Sequence, residues 1–141
     1  MKIQRTGSAA WTGGKDGKGA VSTQSGALKA YPYGFGSRFE GVAGTNPEEL
    51  IAAGHAGCFT MATSLMLVEA GLIAERLDTT AVVTLEQVQG GFSITSVHLT
   101  LKAKIPGVDD AKFQSIAAKA KANCPVSKLL KADITLDAQL V

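Results

Sequence analysis

Charge is scarce in this sequence. Charged residues make up 18 % of it, aromatic residues 6 %, and there are two cysteines and two histidines in 141 residues. Each shortage excludes something. A net charge of +2, with no Lys/Arg run interleaved with aromatics, leaves no electrostatic footprint for nucleic acid. Two cysteines do not make a secreted disulfide framework. The opening Met1-Lys-Ile-Gln-Arg-Thr-Gly has no apolar h-region, so no secretory signal is expected and the expected compartment is the cytoplasm, with reduced thiols. No Gly-rich phosphate loop, Ser-His-Asp spacing or Cys-x-x-Cys pair occurs; Gly13-Gly14 and Gly90-Gly91 read as turns. No internal repeat, low-complexity tract or linker divides the chain, so residues 1–141 read as a single domain. What is abundant is apolar surface: 45 % of residues are hydrophobic, enough for a packed core.

Between Leu50 and Val68 there is no charge at all, over 19 residues. The stretch reads as a helix from Asn46 to Gly71. Asn46 can cap it, Pro47 suits the first helical position, Glu48 and Glu49 favour the positive end of the dipole, and Gly71 can stop it. The length raises the question of a membrane span. Gly54, His55, Gly57, Thr60, Thr63 and Ser64 dilute its hydropathy, no aromatic belt or basic flank follows, and the strands elsewhere need a central element to cover them. A soluble core helix is therefore expected, with no membrane. Being apolar nearly all round, it should be buried on all sides.

Around this helix the chain reads as strands. Residues 3–14 form one, Asp16-Gly17 marks a hairpin, and Gly19–Thr23 returns. Ala27–Tyr33 is a connection broken by Pro32, and Gly34–Gly41 reads as a third strand. Thr79–Leu85 and Phe92–Lys104 alternate, with Gln89-Gly90-Gly91 turning between them. Asp109 and Asp110 open a second helix with Phe113, Ile116, Ala117 and Ala120 on one face. Asn123-Cys124-Pro125 interrupts it, Val126–Lys131 adds a turn or two, and Ile134–Leu140 closes as a strand. The class is α+β: about six strands, mostly joined by hairpins, with two substantial helices. One small sheet and one further helix cannot cover the long helix on every side, which predicts an obligate homodimer with Leu50–Gly71 near its interface.

Cys58 sits in that helix. A small thiol in an apolar helix is commonly packing. It lies about three turns in, too deep for the dipole to lower its pKa, so a reactive Cys58 needs a nearby cation. Cys124 precedes Pro125 and can cap the short helix, where a thiol ionises more easily; it can equally fill a turn. His55, Cys58, His98 and Cys124 also allow a zinc reading, against which stand the missing knuckle and the isolation of His98 in a strand. Taken alone, Glu48 is a first-turn carboxylate and Arg38 a strand residue.

Five segments give these residues a context: Pro32-Tyr-Gly-Phe, Arg38-Phe-Glu-Gly, Gly44-Thr-Asn-Pro-Glu-Glu-Leu-Ile, His55-Ala-x-Cys-Phe and Cys124-Pro-Val-Ser-x-x-Leu-Lys-Ala. As a set they resemble the family of osmotically inducible protein C (OsmC) and the organic hydroperoxide resistance proteins, bacterial thiol-dependent peroxidases. The placement of Arg38 is more like the OsmC branch. The resemblance runs from about residue 3 to the C-terminus. It implies an intertwined homodimer in which sheets wrap the long central helices, with two active sites at the interface. It implies Cys58 as peroxidatic cysteine, Cys124 as resolving cysteine, and Arg38 with Glu48 as the pair that activates Cys58. The expected substrate is an organic hydroperoxide and the expected reductant an external dithiol, with no cofactor and no metal. Phe35, Phe39 and Phe59 would suit an organic tail. The competing expectation is a non-catalytic protein binding a lipid-like ligand, its cysteines structural.

Glu48 and Cys58 are ten residues apart, about 15 Å along a straight helix and some 80° around it. Either the helix breaks near Gly54, or Arg38 and Glu48 serve Cys58 of the partner chain; the second agrees with the dimer argument.

Overall fold

The computed structural model describes all residues from Met1 to Val141. Its elements run β1 (Gly7–Thr12), β2 (Lys18–Thr23), β3 (Tyr31–Tyr33), α1 (Phe35–Phe39), α2 (Pro47–Glu69), β4 (Arg76–Val88), β5 (Gly91–Lys104), α3 (Asp110–Asn123), α4 (Pro125–Leu129) and β6 (Asp133–Leu140). The class is α+β, with two three-stranded sheets. The chain divides into two compact units, Met1–Leu50 and Ile51–Val141.

In the first unit β1, β2 and β3 form an antiparallel meander in that order. Its register places Trp11 opposite Gly19 and Gly19 opposite Tyr33. The Trp11 ring meets Tyr33 edge-on at 5.6 Å and Phe35 at 5.8 Å between centroids. Gly19 is required beneath these rings: a Cβ there would lie 2.4 Å from a Tyr33 ring carbon. The first strand is shorter than the expected 3–14. Tyr31–Tyr33, expected as a connection, is a strand because it is the sheet edge, where the missing N–H of Pro32 is tolerated.

The expected strand Gly34–Gly41 is instead the short helix α1. Ser37 explains the difference. Its Oγ accepts the Gly34 N–H at 2.9 Å and lies 2.7 Å from the Thr45 carbonyl, so a polar side chain closes a helical turn that alternation alone does not reveal. Phe35 and Phe39, four apart, then stack at 6.3 Å.

In the second unit β4 and β5 form a long hairpin with a register shift at Thr84/Leu85. β6 pairs parallel to β5, with α3 and α4 in the crossover, so this connection is not a hairpin. The register aligns Val97 with Ile134, Leu99 with Leu136 and Leu101 with Ala138. On β5, Val97, Leu99, Leu101 and Ala103 are buried, and α3 adds Phe113, Ile116, Ala117 and Ala120. That α3 face is the one its spacing predicted, and Asp109 caps it by accepting the Lys112 N–H at 2.8 Å.

Helix α2 starts and stops as its sequence demands. Asn46 Oδ1 accepts the Glu49 N–H at 2.8 Å. At the other end Gly71 takes φ 74°, Leu72 N–H reaches Leu67 O at 2.8 Å and Gly71 N–H reaches Val68 O at 3.0 Å, a Schellman termination. The helix does not break at Gly54. Burial on all sides is not what the single chain has. His55, Phe59, Thr63 and Leu67 form a buried i, i+4 stripe, while Met61, Leu65 and Val68 are exposed at 75 %, 61 % and 59 %. By length and composition α2 could cross a membrane, yet its buried stripe belongs to the core of the second unit.

Candidate active site

The two cysteines, 66 positions apart in sequence, meet in the second unit. Cys58 Sγ and Cys124 Sγ lie 2.9 Å apart. α2 supplies the first. The second comes from the junction between α3 and α4, where Cys124 closes one helix and Pro125 opens the next. Both thiols are free. They are not equivalent: Cys124 is fully buried, whereas Cys58 keeps part of its surface open. Burial pushes the Cys58 thiol above its ordinary range and the neighbouring Cys124 adds to this, while the backbone N–H of Val126 opposes it. Cys124 caps α4 by position only, with no side-chain hydrogen bond to the helix.

Neither histidine joins the sulfurs as a metal ligand set. His55 Nε2 lies 2.8 Å from Ser127 Oγ, and His98 Nδ1 lies 2.7 Å from Thr135 Oγ1. No group of three or more His, Cys, Asp and Glu side chains converges anywhere in the chain.

Arg38 and Glu48 meet in the first unit. Arg38 Nε donates to both Glu48 oxygens, at 3.1 and 3.2 Å, and a terminal nitrogen donates at 2.5 Å, so the guanidinium is held flat by its carboxylate. Glu48 is there because Asn46 and Pro47 place it in the first turn of α2; Arg38 is there because α1 is helical. The Arg38 guanidinium also lies 5.3 Å over the Phe39 ring. Beside Arg38 opens a small cavity of about 70 Å³ lined by Trp11, Tyr33, Phe35 and Pro47. Phe59, expected as a lining residue for an organic tail, is fully buried in the core because it belongs to the inner stripe of α2.

Sequence reasoning did not single out Ser127. A signal existed: His55-x-x-Cys58 and Cys124-x-x-Ser127 share one spacing, so once the sulfurs meet, the outer pair can meet one helical turn away. Val126, whose N–H faces Cys58, has no side-chain signature at all.

The arrangement can be set against known proteins. Residues 39–139 match the family described as OsmC-like protein. Peroxiredoxin OsmC of Escherichia coli (strain K12) is 57 % identical over 141 residues, covering 99 % of each chain. An organic hydroperoxide resistance protein of Xanthomonas axonopodis pv. citri is 33 % identical over 135 residues, covering 94 % of this chain and 92 % of its own. Among solved structures, the organic hydroperoxide resistance protein OsmC of Legionella pneumophila superposes with a TM-score of 0.74 at 29 % identity, covering 98 % of this chain and 99 % of its own. The family match spans most of the chain and the first of these relatives is aligned over nearly its whole length, so the chain belongs to the OsmC-like family.

Proposed function

We propose a mechanism for this chain, a thiol-dependent peroxidase of its family: it reduces organic hydroperoxides, and hydrogen peroxide less well, to alcohols through a sulfenic acid on Cys58 and a Cys58–Cys124 disulfide. One observation carries the reading. A partly exposed thiol sits 2.9 Å from a fully buried one, so the first can meet a substrate and the second can meet only the first.

Only the thiolate attacks an O–O bond. Burial holds Cys58 protonated, so a cation must favour its anion. Arg38 is permanently charged and can hydrogen-bond a thiolate and a peroxide oxygen together, with Glu48 fixing its plane. The cavity beside Arg38 offers apolar walls for the organic group. Attack transfers one oxygen to Cys58 and releases the alcohol. Cys124 then condenses with the sulfenic acid, forming the disulfide and water. Closing a 2.9 Å gap to a bond of about 2.05 Å needs less than about 1 Å of movement. An external dithiol restores both thiols.

The same reading makes the enzyme an obligate homodimer acting in the cytoplasm under oxidative or osmotic stress. α2 is unbroken, so Glu48 stays about 15 Å along the axis from Cys58 of its own helix. Arg38 and Glu48 therefore serve Cys58 of a partner chain. The exposed ridge Met61, Leu65 and Val68 gives α2 an apolar face for that partner, and no membrane is needed to cover it.

Mass spectrometry after one equivalent of an alkyl hydroperoxide tests the chemistry. A Cys58–Cys124 disulfide is expected, and in Cys124→Ser a sulfenic acid on Cys58. Unchanged peroxide turnover in Cys58→Ser would end this mechanism and leave a lipid-binding protein with structural cysteines.

A further inference from the structure

His55 and Ser127 take no part in the chemistry just described, yet they bracket it. His55 lies three residues before Cys58 on α2, and Ser127 three residues after Cys124 on α4. Spacings of three put each pair on one helix face. Two contacts therefore join the same segments side by side: sulfur to sulfur at 2.9 Å, and His55 Nε2 to Ser127 Oγ at 2.8 Å.

α4 needs something to hold it. It has five residues, and a helix that short has no stability of its own. Cys124 itself is the non-helical joint before it, at φ −56° and ψ 124°. Val126 and Leu130 rest on the core, but apolar contact does not fix orientation. Of the polar contacts that do, the Val126 N–H to Cys58 involves the atom that reacts. Once Cys58 carries an oxygen, that contact is altered and the sulfur–sulfur contact is displaced. The bond from His55 to Ser127 touches no reacting atom and persists.

His55 is also an expensive residue to bury. It is fully enclosed, and its Nδ1 has no hydrogen-bond partner. Burial lowers its proton affinity, so the ring is neutral and its single satisfied nitrogen is the one facing Ser127. A packing role alone would be better served by an apolar side chain of similar volume.

We propose that His55 is a positioning residue for the resolving step: its bond to Ser127 pins α4 against α2, so that Cys124 stays at Cys58 after Cys58 has been oxidised. The inference rests on the peroxidase mechanism above. In the first step the Cys58 thiolate gives two electrons to the hydroperoxide, the O–O bond breaks, one oxygen stays on sulfur and the alcohol leaves with a proton. In the second the Cys124 thiol attacks that sulfur, the S–S bond forms, the S–O bond breaks and water leaves. A second hydroperoxide competes for the same sulfenic acid and carries it to sulfinic acid. The pin decides this competition by keeping the resolving thiol in place.

The test is a single turnover with one equivalent of cumene hydroperoxide, quenched with dimedone and a thiol alkylator, read by mass spectrometry. In the wild-type chain the disulfide dominates. In Ser127→Ala the ratio of dimedone-trapped Cys58 to disulfide rises roughly three- to tenfold, the range of one neutral hydrogen bond. With excess hydroperoxide the same variant accumulates sulfinic Cys58. The isosteric pair Ser127→Thr and Ser127→Val separates the hydroxyl from its shape: the Thr chain keeps the wild-type ratio and the Val chain raises it. Equal ratios in the Thr and Val chains, or a wild-type ratio in Ser127→Ala, overturn the proposal while the wild-type disulfide leaves the peroxidase mechanism standing. A wild-type chain that forms neither adduct nor disulfide overturns the mechanism itself, and the pin with it.

Discussion

Each of the two units of this chain owes its internal cohesion to different means. In Ile51–Val141 every buried apolar side chain of the protein is found, from Phe59 to Ala138. In Met1–Leu50 the only buried side chain is Thr45, and Trp11, Tyr31, Phe35 and Val42 stay substantially exposed. Its cohesion comes from a ladder of β pairs, rings packed over Gly19 and the Arg38–Glu48 ion pair. The candidate chemistry divides in the same way. The sulfur pair, which needs to move by less than about 1 Å to form the proposed bond, sits on the unit with the packed core. The guanidinium, which the proposed mechanism presents to a thiolate and a peroxide, sits on the unit without one. In the proposed dimer the second difference explains the first: a unit that brings charge to a neighbour's thiol can leave its burial to that neighbour.

The largest effect is expected at the exposed ridge of α2. Leu65→Asp sets a charge where the dimer reading buries an apolar side chain. Analytical ultracentrifugation should show the wild type at about twice 14.5 kDa and the variant at the single-chain mass, with peroxidase activity lost alongside. A variant that stays dimeric and active would show that this ridge is not the interface. Next in size is the core. Phe113→Ala should lower unfolding stability by about 3–5 kcal/mol, as large aromatic truncations in cores do. Phe35→Ala, half exposed and held by ring contacts, should lose no more than about 1.5 kcal/mol in chemical denaturation at the same protein concentration. Equal losses would mean that the first unit has a core that only the assembly completes.

Arg38→Met sharpens the same contrast from the side of chemistry. Loss of a fixed charge donor commonly lowers turnover about a hundred- to a thousandfold. The pair it breaks is partly exposed on the Arg38 side, so unfolding stability should fall by no more than about 1 kcal/mol. A variant that melts like the wild type and turns over peroxide like it would remove Arg38 from the mechanism.

Much of this was legible in the sequence, and the failures are local. Helix α2 announced both ends, because the Asn46 side chain, the Pro47 ring and the freedom of Gly71 each act on the backbone close by, and α3 announced its buried face through spacing alone. Gly34–Gly41 misled because Phe35 and Phe39 fit one face of a strand as well as one face of a helix; the Ser37 hydroxyl decided between them through a carbonyl at Thr45 that sequence does not bring near. The uncharged run of α2 predicted burial on all sides, with a partner chain covering what one sheet and one helix cannot; within a single chain only one stripe is buried. Cys58 and Cys124 could be singled out, but their meeting depends on a parallel β5–β6 crossover, a pairing over long sequence distance that no local pattern encodes.

The smallest expected effect belongs to one ring in the second unit. His55 is neutral in the folded chain because burial lowers its pKa below 6.5. The unfolded chain takes up a proton near its ordinary value, while the folded chain refuses it until the pH is lower. Folding stability is then complete above about pH 6.5 and declines as the pH falls from there towards the folded pKa, because the unfolded state binds more protons across that window. Melting of the wild type between about pH 7.5 and about pH 5 should show this decline, above the range where exposed carboxylates titrate. In His55→Gln the slope over that window should flatten, since the amide does not titrate. A slope that persists unchanged would place the acid sensitivity elsewhere and would mean that the ring beside Ser127 costs the fold less than its buried, unpartnered Nδ1 implies.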